Sequence, residues 1–204
     1  MADIRVHRVP FSTNVERVAL ACGIKGVEVE WIDHDQDDRS AIVELSGQPL
    51  APVAEFGDLV VSDSPRILEH LDRVAPEPRL FPRLPAERAH AEIFVEWFNE
   101  VWKGPPNALD EAYPNAHPAE AALVARISGW TDRFEEILRG SDFLLGDEIG
   151  IADVVAYPFL RYAIDEPDRA DEQPFHRILH ERLRGGDHVR LDRWIARIAA
   201  LPQA

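Results

Sequence analysis

IRVHRVPFSTNVERVALACGIKGVEVEW, residues 4–31, decides the architecture of the first third of the chain. Ile4 to His7 is a short strand candidate. Ser12-Thr13-Asn14 then marks a helix start, because these three residue types favour the N-cap, where a side-chain oxygen accepts from a backbone N–H that has no partner in the first turn. From Asn14 to Ile24, Val15, Val18, Ala19 and Cys22 recur at helical spacing, and Gly23 and Gly26 sit near the helix end. Val27, Val29 and Trp31 alternate with Glu28 and Glu30, the pattern of a half-buried strand. A strand–helix–strand unit of about 30 residues predicts two parallel strands joined by a right-handed crossover.

Further along, Pro52–Phe56 and Leu59–Val61 flank Gly57-Asp58 and read as a hairpin. Ser64-Pro65 opens a helix that runs to about Val74, with serine as N-cap, proline at the first helical position, and Ile67, Leu68 and Leu71 facing inward. The order β-α-β followed by β-β-α is the thioredoxin arrangement, expected over residues 1–75. APEPRLFPRLP, residues 75–85, holds four prolines in eleven positions and cannot continue a helix, so 76–85 reads as a linker. Beyond it strand signals nearly vanish. Helices are expected at about 86–103, 118–139, 151–165, 174–184 and 188–200, separated by segments such as Gly104-Pro105-Pro106 and Gly185-Gly186-Asp187. The expected fold class is therefore α/β plus all-α: a thioredoxin-like domain followed by a helical bundle over residues 86–204.

Composition narrows the function classes. The chain has 204 residues, 46% of them hydrophobic and 29% charged, which excludes disorder and fibre. No stretch approaches the roughly 20 apolar residues of a membrane helix. The start, MADIRVHRV, lacks the apolar core of a signal peptide, so the expected compartment is the cytoplasm. One cysteine, Cys22, allows no internal disulfide and no redox mechanism needing a cysteine pair. With 22 basic and 37 acidic residues the net charge is −15, so nucleic acid or an anionic membrane would meet general repulsion. An anionic small molecule would need local donors that override this field.

Three places concentrate chemistry. Ser12 stands where unpaired backbone donors and the positive end of a helix converge; it reads either as a plain N-cap or as a donor to an anion. Ala51-Pro52 opens the hairpin where a thioredoxin-like fold often carries a cis proline, which would expose the Ala51 backbone for strand-like pairing with a peptide. Asp63-Ser64 lies at the next helix start, where a hydroxyl and a helix end suit a carboxylate and the aspartate suits an ammonium.

With these residues in place the chain resembles the cytosolic glutathione transferases over essentially its whole length. Ser12-Thr13-Asn14-Val15-Glu16-Arg17-Val18 is similar to the catalytic-serine motif of the serine-type classes, the phi class most closely. Pro52 followed eleven residues later by Asp63-Ser64 has the family's spacing from cis proline to its acidic-Ser pair. Phe143-Leu144-Leu145-Gly146-Asp147, then Ile151-Ala152-Asp153 and Tyr157-Pro158, resembles the helical-domain motif, and Leu191-Asp192-Arg193-Trp194 through Pro202 resembles the last helix. Departures accompany these matches: Gly150 replaces the usual Ser or Thr, Gln48 is two residues further from Pro52 than the family's ligand position, and Asp63 replaces the commoner glutamate.

The resemblance implies an enzyme that binds glutathione as co-substrate, stabilises its thiolate with Ser12, holds it with Ala51, Pro52, Asp63 and Ser64, and conjugates it to a small hydrophobic electrophile. It implies a homodimer and demands no metal. Two alternatives stay open: a non-catalytic binding or assembly module on the same fold, and a glutathione-dependent isomerase or dehalogenase. Arg17 and Arg66, one turn into the two site helices, are expected either to attract the ligand or to form surface or interdomain ion pairs. Trp97, Phe98 and Trp102 form an aromatic stripe that reads as core; Trp97 and Trp102, with Tyr113, are also candidates for an electrophile pocket. Asp33, Asp35, Asp37 and Glu44 match positions one, three, five and twelve of a calcium loop, but Asp38 occupies position six, which wants glycine, and a strand, not a helix, precedes it, so a solvated acidic loop is expected. His176 and His180 are expected to be a surface pair, and Cys22 a buried apolar side chain.

Overall fold

A computed structural model describes residues 4–204. They form two compact units, one running through Phe81 and including Leu201–Ala204, the other Pro82–Ala200.

In the first unit, β1 (Ile4–Arg8) pairs in parallel with β2 (Glu30–Asp33) and antiparallel with β3 (Val53–Phe56), which pairs with β4 (Leu59–Ser62), giving the sheet order β2-β1-β3-β4. Helix α1 (Thr13–Lys25) makes the crossover, α2 (Ser40–Ser46) connects β2 to the hairpin, and α3 (Ser64–Val74) follows β4. Alternation places Ile4, Val6 and Ala54 on one face. Val9 and Val53 lie on the other, where Ile42 of α2 covers them. Gly26 ends α1 in the left-handed conformation, φ 60°, its N–H bonding back to the helix. Gly23 instead permits a close approach. A Cβ there would lie 2.2 Å from the carbonyl oxygen of Pro202, so only glycine lets the C-terminal residues lie against α1, where Ala204 N–H bonds Ala19 O at 3.1 Å.

The proline-rich segment is anchored, not loose. Lys25 Nζ, whose side chain has no exposed surface, donates to Asp72 Oδ1 at 2.7 Å, Ala75 O at 2.8 Å and Pro78 O at 2.7 Å. Asp72 Oδ1 also accepts from Leu80 N–H at 2.9 Å. Buried charge is tolerated because each partner is hydrogen-bonded, and the stretch up to Phe81 thereby belongs to the first unit.

The second unit consists of α4 (Pro85–Trp97), continued by a wide turn over Phe98–Trp102, then α5 (Gly104–Ala112), α6 (Glu120–Ile137), α7 (Ile151–Leu160), α8 (Pro174–Leu183) and α9 (Val189–Ala199). The expected break at Gly104-Pro105-Pro106 is instead the first turn of α5, where prolines are tolerated because those N–H groups lack intrahelical partners. Every residue of α7 is buried. Its N-cap Gly150 contributes no side chain, but Gly150 N–H donates to Asp153 Oδ2 at 2.9 Å, and Asp153 Oδ1 accepts from Leu144 N–H at 2.9 Å and Trp194 Nε1 at 2.7 Å. Burial pushes the Asp153 carboxyl above its usual range and these donors pull it back. Among the described residues, no helix is long and apolar enough to cross a membrane.

Candidate active site

The strand-to-helix turn after β1 presents Ser12 as the N-cap of α1, its Oγ accepting from Val15 N–H at 3.4 Å. An accepting hydroxyl keeps its own proton to donate. Capping and anion stabilisation are therefore compatible, and the plain cap reading and the donor reading describe two ends of one hydroxyl.

The start of α3 is built in a related way, with one difference from expectation. Ile67 N–H bonds Asp63 O at 3.0 Å, so Asp63, not Ser64, is the N-cap, and Ser64 is the first helical residue. Ser64 is buried, while Asp63 is exposed. Two non-glycine residues have positive φ among the described residues: Phe11 at 57° and Asp63 at 76°. Each directly precedes one of the candidate serines. Such backbone costs about 1–3 kcal/mol and persists where the surroundings over-determine it, typically at functional sites.

One side chain joins the two starts. Arg17, expected as a surface or steering charge, is 1% exposed and donates through one terminal nitrogen to Asn14 Oδ1 at 3.0 Å and Ser64 Oγ at 3.2 Å. Burial pushes its pKa down to about 9 against the opposing pull of the Asp63 carboxylate, so it remains cationic at neutral pH. It was concealed in the sequence because arginine usually reads as surface. The available signal was position: Thr13, Arg17, Ala21 and Lys25 recur every four residues along the buried face of α1. Arg66, by contrast, is exposed and makes no ion pair among the described residues.

The Ala51–Pro52 bond is cis. No backbone hydrogen bond among the described residues engages Ala51. Gln48 turns inward on its own loop, donating to Ser46 Oγ at 3.1 Å and Leu50 O at 3.0 Å and accepting from Leu50 N–H at 2.6 Å.

The aromatic candidates do not form one pocket. Trp102 is 0% exposed, stacked on Phe98 with centroids 4.4 Å apart, and packs the core of the helical unit. Trp97 is half-buried and meets Trp130 edge-on. Tyr113 is 56% exposed and borders a cavity of about 390 Å³ between α5 and α8. Only Tyr113 of the three lines it.

Other signals resolve locally. His176, expected at the surface, is buried against Tyr162 and bonded through Nδ1 to Asp171, because it continues the inward stripe of Leu179 and Leu183; burial pushes its pKa below the usual range and Asp171 opposes this. His180 bonds Tyr162 O at 3.0 Å. In the acidic loop, Asp33 pairs with Arg8 at 2.6 Å and Asp35 caps its own turn at Asp37 N–H. Among the described residues no group of three or more His, Cys, Asp or Glu side chains is arranged to hold a metal ion. Cys22 is buried, and burial pushes its thiol up to about 12.

Residues 6–79 match the family model of the glutathione S-transferase N-terminal domain, and residues 106–197 that of the C-terminal domain. The chain belongs to the glutathione S-transferase family. Among curated glutathione S-transferases, it is 27% identical over 168 residues to glutathione S-transferase U4 of Arabidopsis thaliana, covering 79% of this chain and 72% of that protein. Its fold is shared with the Tau class glutathione S-transferase of mango, Mangifera indica (18% identity, TM-score 0.78, 97% of this chain and 89% of that one). It is also shared with the theta class glutathione S-transferase of Xanthomonas axonopodis pv. citri, solved with glutathione bound (22% identity, TM-score 0.70, 89% and 92%). The glutathione S-transferase fold thus accounts for both halves: the four-stranded thioredoxin-like sheet and the helical domain.

Proposed function

We propose that this glutathione S-transferase conjugates the thiolate of glutathione to a small hydrophobic electrophile, with Ser12 as the thiolate's donor. The observation that carries the reading is the pairing of the two strained non-glycine residues, Phe11 and Asp63, with Ser12 and Ser64, both helix starts being tied together by buried Arg17. In this reading Ala51 pairs with the glutathione backbone beside Pro52. Ser64 and the N–H groups of the first turn of α3 receive a carboxylate, and exposed Asp63 receives the ammonium.

A free thiol with a pKa of about 8.5 is only a few per cent thiolate at pH 7. Lowering it by about two units requires roughly 2.7 kcal/mol of preferential stabilisation of the anion. A hydroxyl donor combined with a helix N-terminus supplies energy of that order. The Ser12 proton points to the sulfur while the Ser12 oxygen holds Val15 N–H, so the serine donates and is not itself a nucleophile. The thiolate then attacks the electrophile, a bond forms from sulfur to carbon, and the leaving group departs or the new carbanion takes a proton from water.

We place the electrophile on the helical unit, with Tyr113 the most exposed of the three aromatic candidates, and infer a cytoplasmic homodimer. The test is calorimetric titration with glutathione beside a conjugation assay on a generic aromatic electrophile. Saturable binding with turnover supports the reading; binding without turnover points to the isomerase or dehalogenase alternative, and no binding points to an assembly module.

A further inference from the structure

On the sheet face away from Ile4 and Val6, a chain of titratable side chains runs from β3 across β1 to the residue that follows β2. Arg5 donates to Glu55 Oε2 at 2.9 Å, Glu55 Oε1 meets His7 Nε2 at 2.9 Å, and His7 Nδ1 meets His34 Nε2 at 2.8 Å, the two imidazoles lying 5.1 Å apart and 20° from parallel. His34 immediately follows β2, held by His34 N–H to Arg8 O at 2.9 Å. It opens the segment that leads through α2 to Leu50. On the same face α2 is seated by Ile42 over Val9 and Val53.

Proton counting fixes what this chain tolerates. Glu55 is an acceptor, so His7 carries its proton on Nε2; neutral His7 then accepts at Nδ1 and His34 must donate from Nε2. One extra proton fits if His7 holds both and His34 shifts its own to Nδ1. A second extra proton does not fit, because two N–H groups would face each other at 2.8 Å across two cations.

We propose that the His7–His34 pair is a one-proton latch: it fastens the His34–Leu50 segment to the sheet near neutral pH and releases it when the second proton binds. The groups around it set the direction. Burial pushes His34 below the ordinary histidine range, His7 and Arg39 push the same way, and Asp33 and Asp38 oppose them. Arg8 is engaged by Asp33, and Arg5 by Glu55. With the folded-state value depressed, the latch contributes stability above about pH 6.5 and loses it as pH falls through the His34 value. The segment ends beside Ala51, so its release would also loosen one wall of the proposed glutathione groove.

The test uses the full-length protein without glutathione, so its outcome is independent of the substrate reading. Amide exchange of residues 34–50 is followed between about pH 7.5 and about pH 5, corrected for intrinsic rates. The expected result is at least about a tenfold loss of protection confined to this segment, coincident with titration of the His34 ring observed by NMR. His34→Gln, which can still bond His7 Nδ1 without titrating, should keep the segment protected at both pH values. Unchanged protection in the wild type would overturn the latch, as would a His34 ring titrating at or above about 6.5. If the variant does not fold, the wild-type exchange and ring titration decide alone.

Discussion

Replacing Arg17 by Met is the perturbation that most sharply separates a scaffold that builds the site from one that merely carries it. The guanidinium holds Asn14 Oδ1 at 3.0 Å and Ser64 Oγ at 3.2 Å from an almost fully buried position. Bonds from a charged donor contribute about 1.5–3 kcal/mol each. Against this, methionine fills similar volume and removes the desolvation of a buried cation, the burden visible in the fall of the Arg17 pKa to about 9. The Ser64 hydroxyl, buried and stripped of its donor, leaves a residual loss, so the expected net destabilisation of the first unit is about 2 kcal/mol. In urea this lowers the first unit's midpoint by about 1 M, given slopes of roughly 1–3 kcal/mol per molar. Arg17→Lys should fall in between, because an ammonium keeps the charge and the donors but sits on a shorter side chain than the terminal nitrogen that reaches both oxygens. The functional companion is a raised Michaelis constant for glutathione, since Ser64 and strained Asp63 lose their anchor. A midpoint within about 0.2 M of wild type together with an unchanged Michaelis constant would refute the reasoning, because ordinary surface substitutions fall within about ±0.5 kcal/mol.

Three further outcomes follow from particular contacts. Trp194→Phe removes one donor from buried Asp153 and should cost about 1.5–3 kcal/mol at pH 7. Because a raised carboxyl pKa weakens the folded state above the unfolded value of about 3.9, that deficit should shrink as pH falls toward it, which urea titrations at two pH values would detect. Cys22, with its thiol near 12, holds roughly a thousandfold less thiolate at pH 8 than an ordinary cysteine, so a thiol reagent should label it only as fast as the protein opens. Arg66→Gln should raise the Michaelis constant for glutathione at low salt, with added salt narrowing the gap; a stability loss without that change would place Arg66 in the scaffold.

The thioredoxin-like half was legible because its elements follow local rules. Alternation identified the strands, cap residues located the helices, and Gly57-Asp58 marked the hairpin. Ser12, the cis Pro52 and Asp63-Ser64 were legible as spacing. What escaped depends on tertiary override. Arg17 and Lys25 are cations on a buried face; Arg17 bonds the nearby Asn14, but Ser64 and Asp72, the partners that hold these cations to the rest of the unit, lie 47 residues away. The positive φ of Phe11 has no signature in a residue type that rarely adopts it, and that of Asp63 is only weakly signalled by aspartate's tolerance of such backbone. Helix α2 is short and buries only Ile42, too little for periodicity to show. The aromatic stripe misled in part, since helical spacing brings Trp97 and Trp102 to one region without saying that Trp102 is enclosed.

The most direct measurement of the central claim is the pKa of glutathione's thiol when bound, followed by the ultraviolet absorbance of the thiolate in wild type and in Ser12→Ala. The account predicts a bound-thiol pKa about two units below the free value of about 8.5 in the wild type. In Ser12→Ala it should return most of the way, with conjugation falling at least about tenfold and affinity changing little, because the donor serves the anion and the reacting state. Equal thiol pKa values in the two proteins would contradict the account and leave Ser12 a helix cap alone.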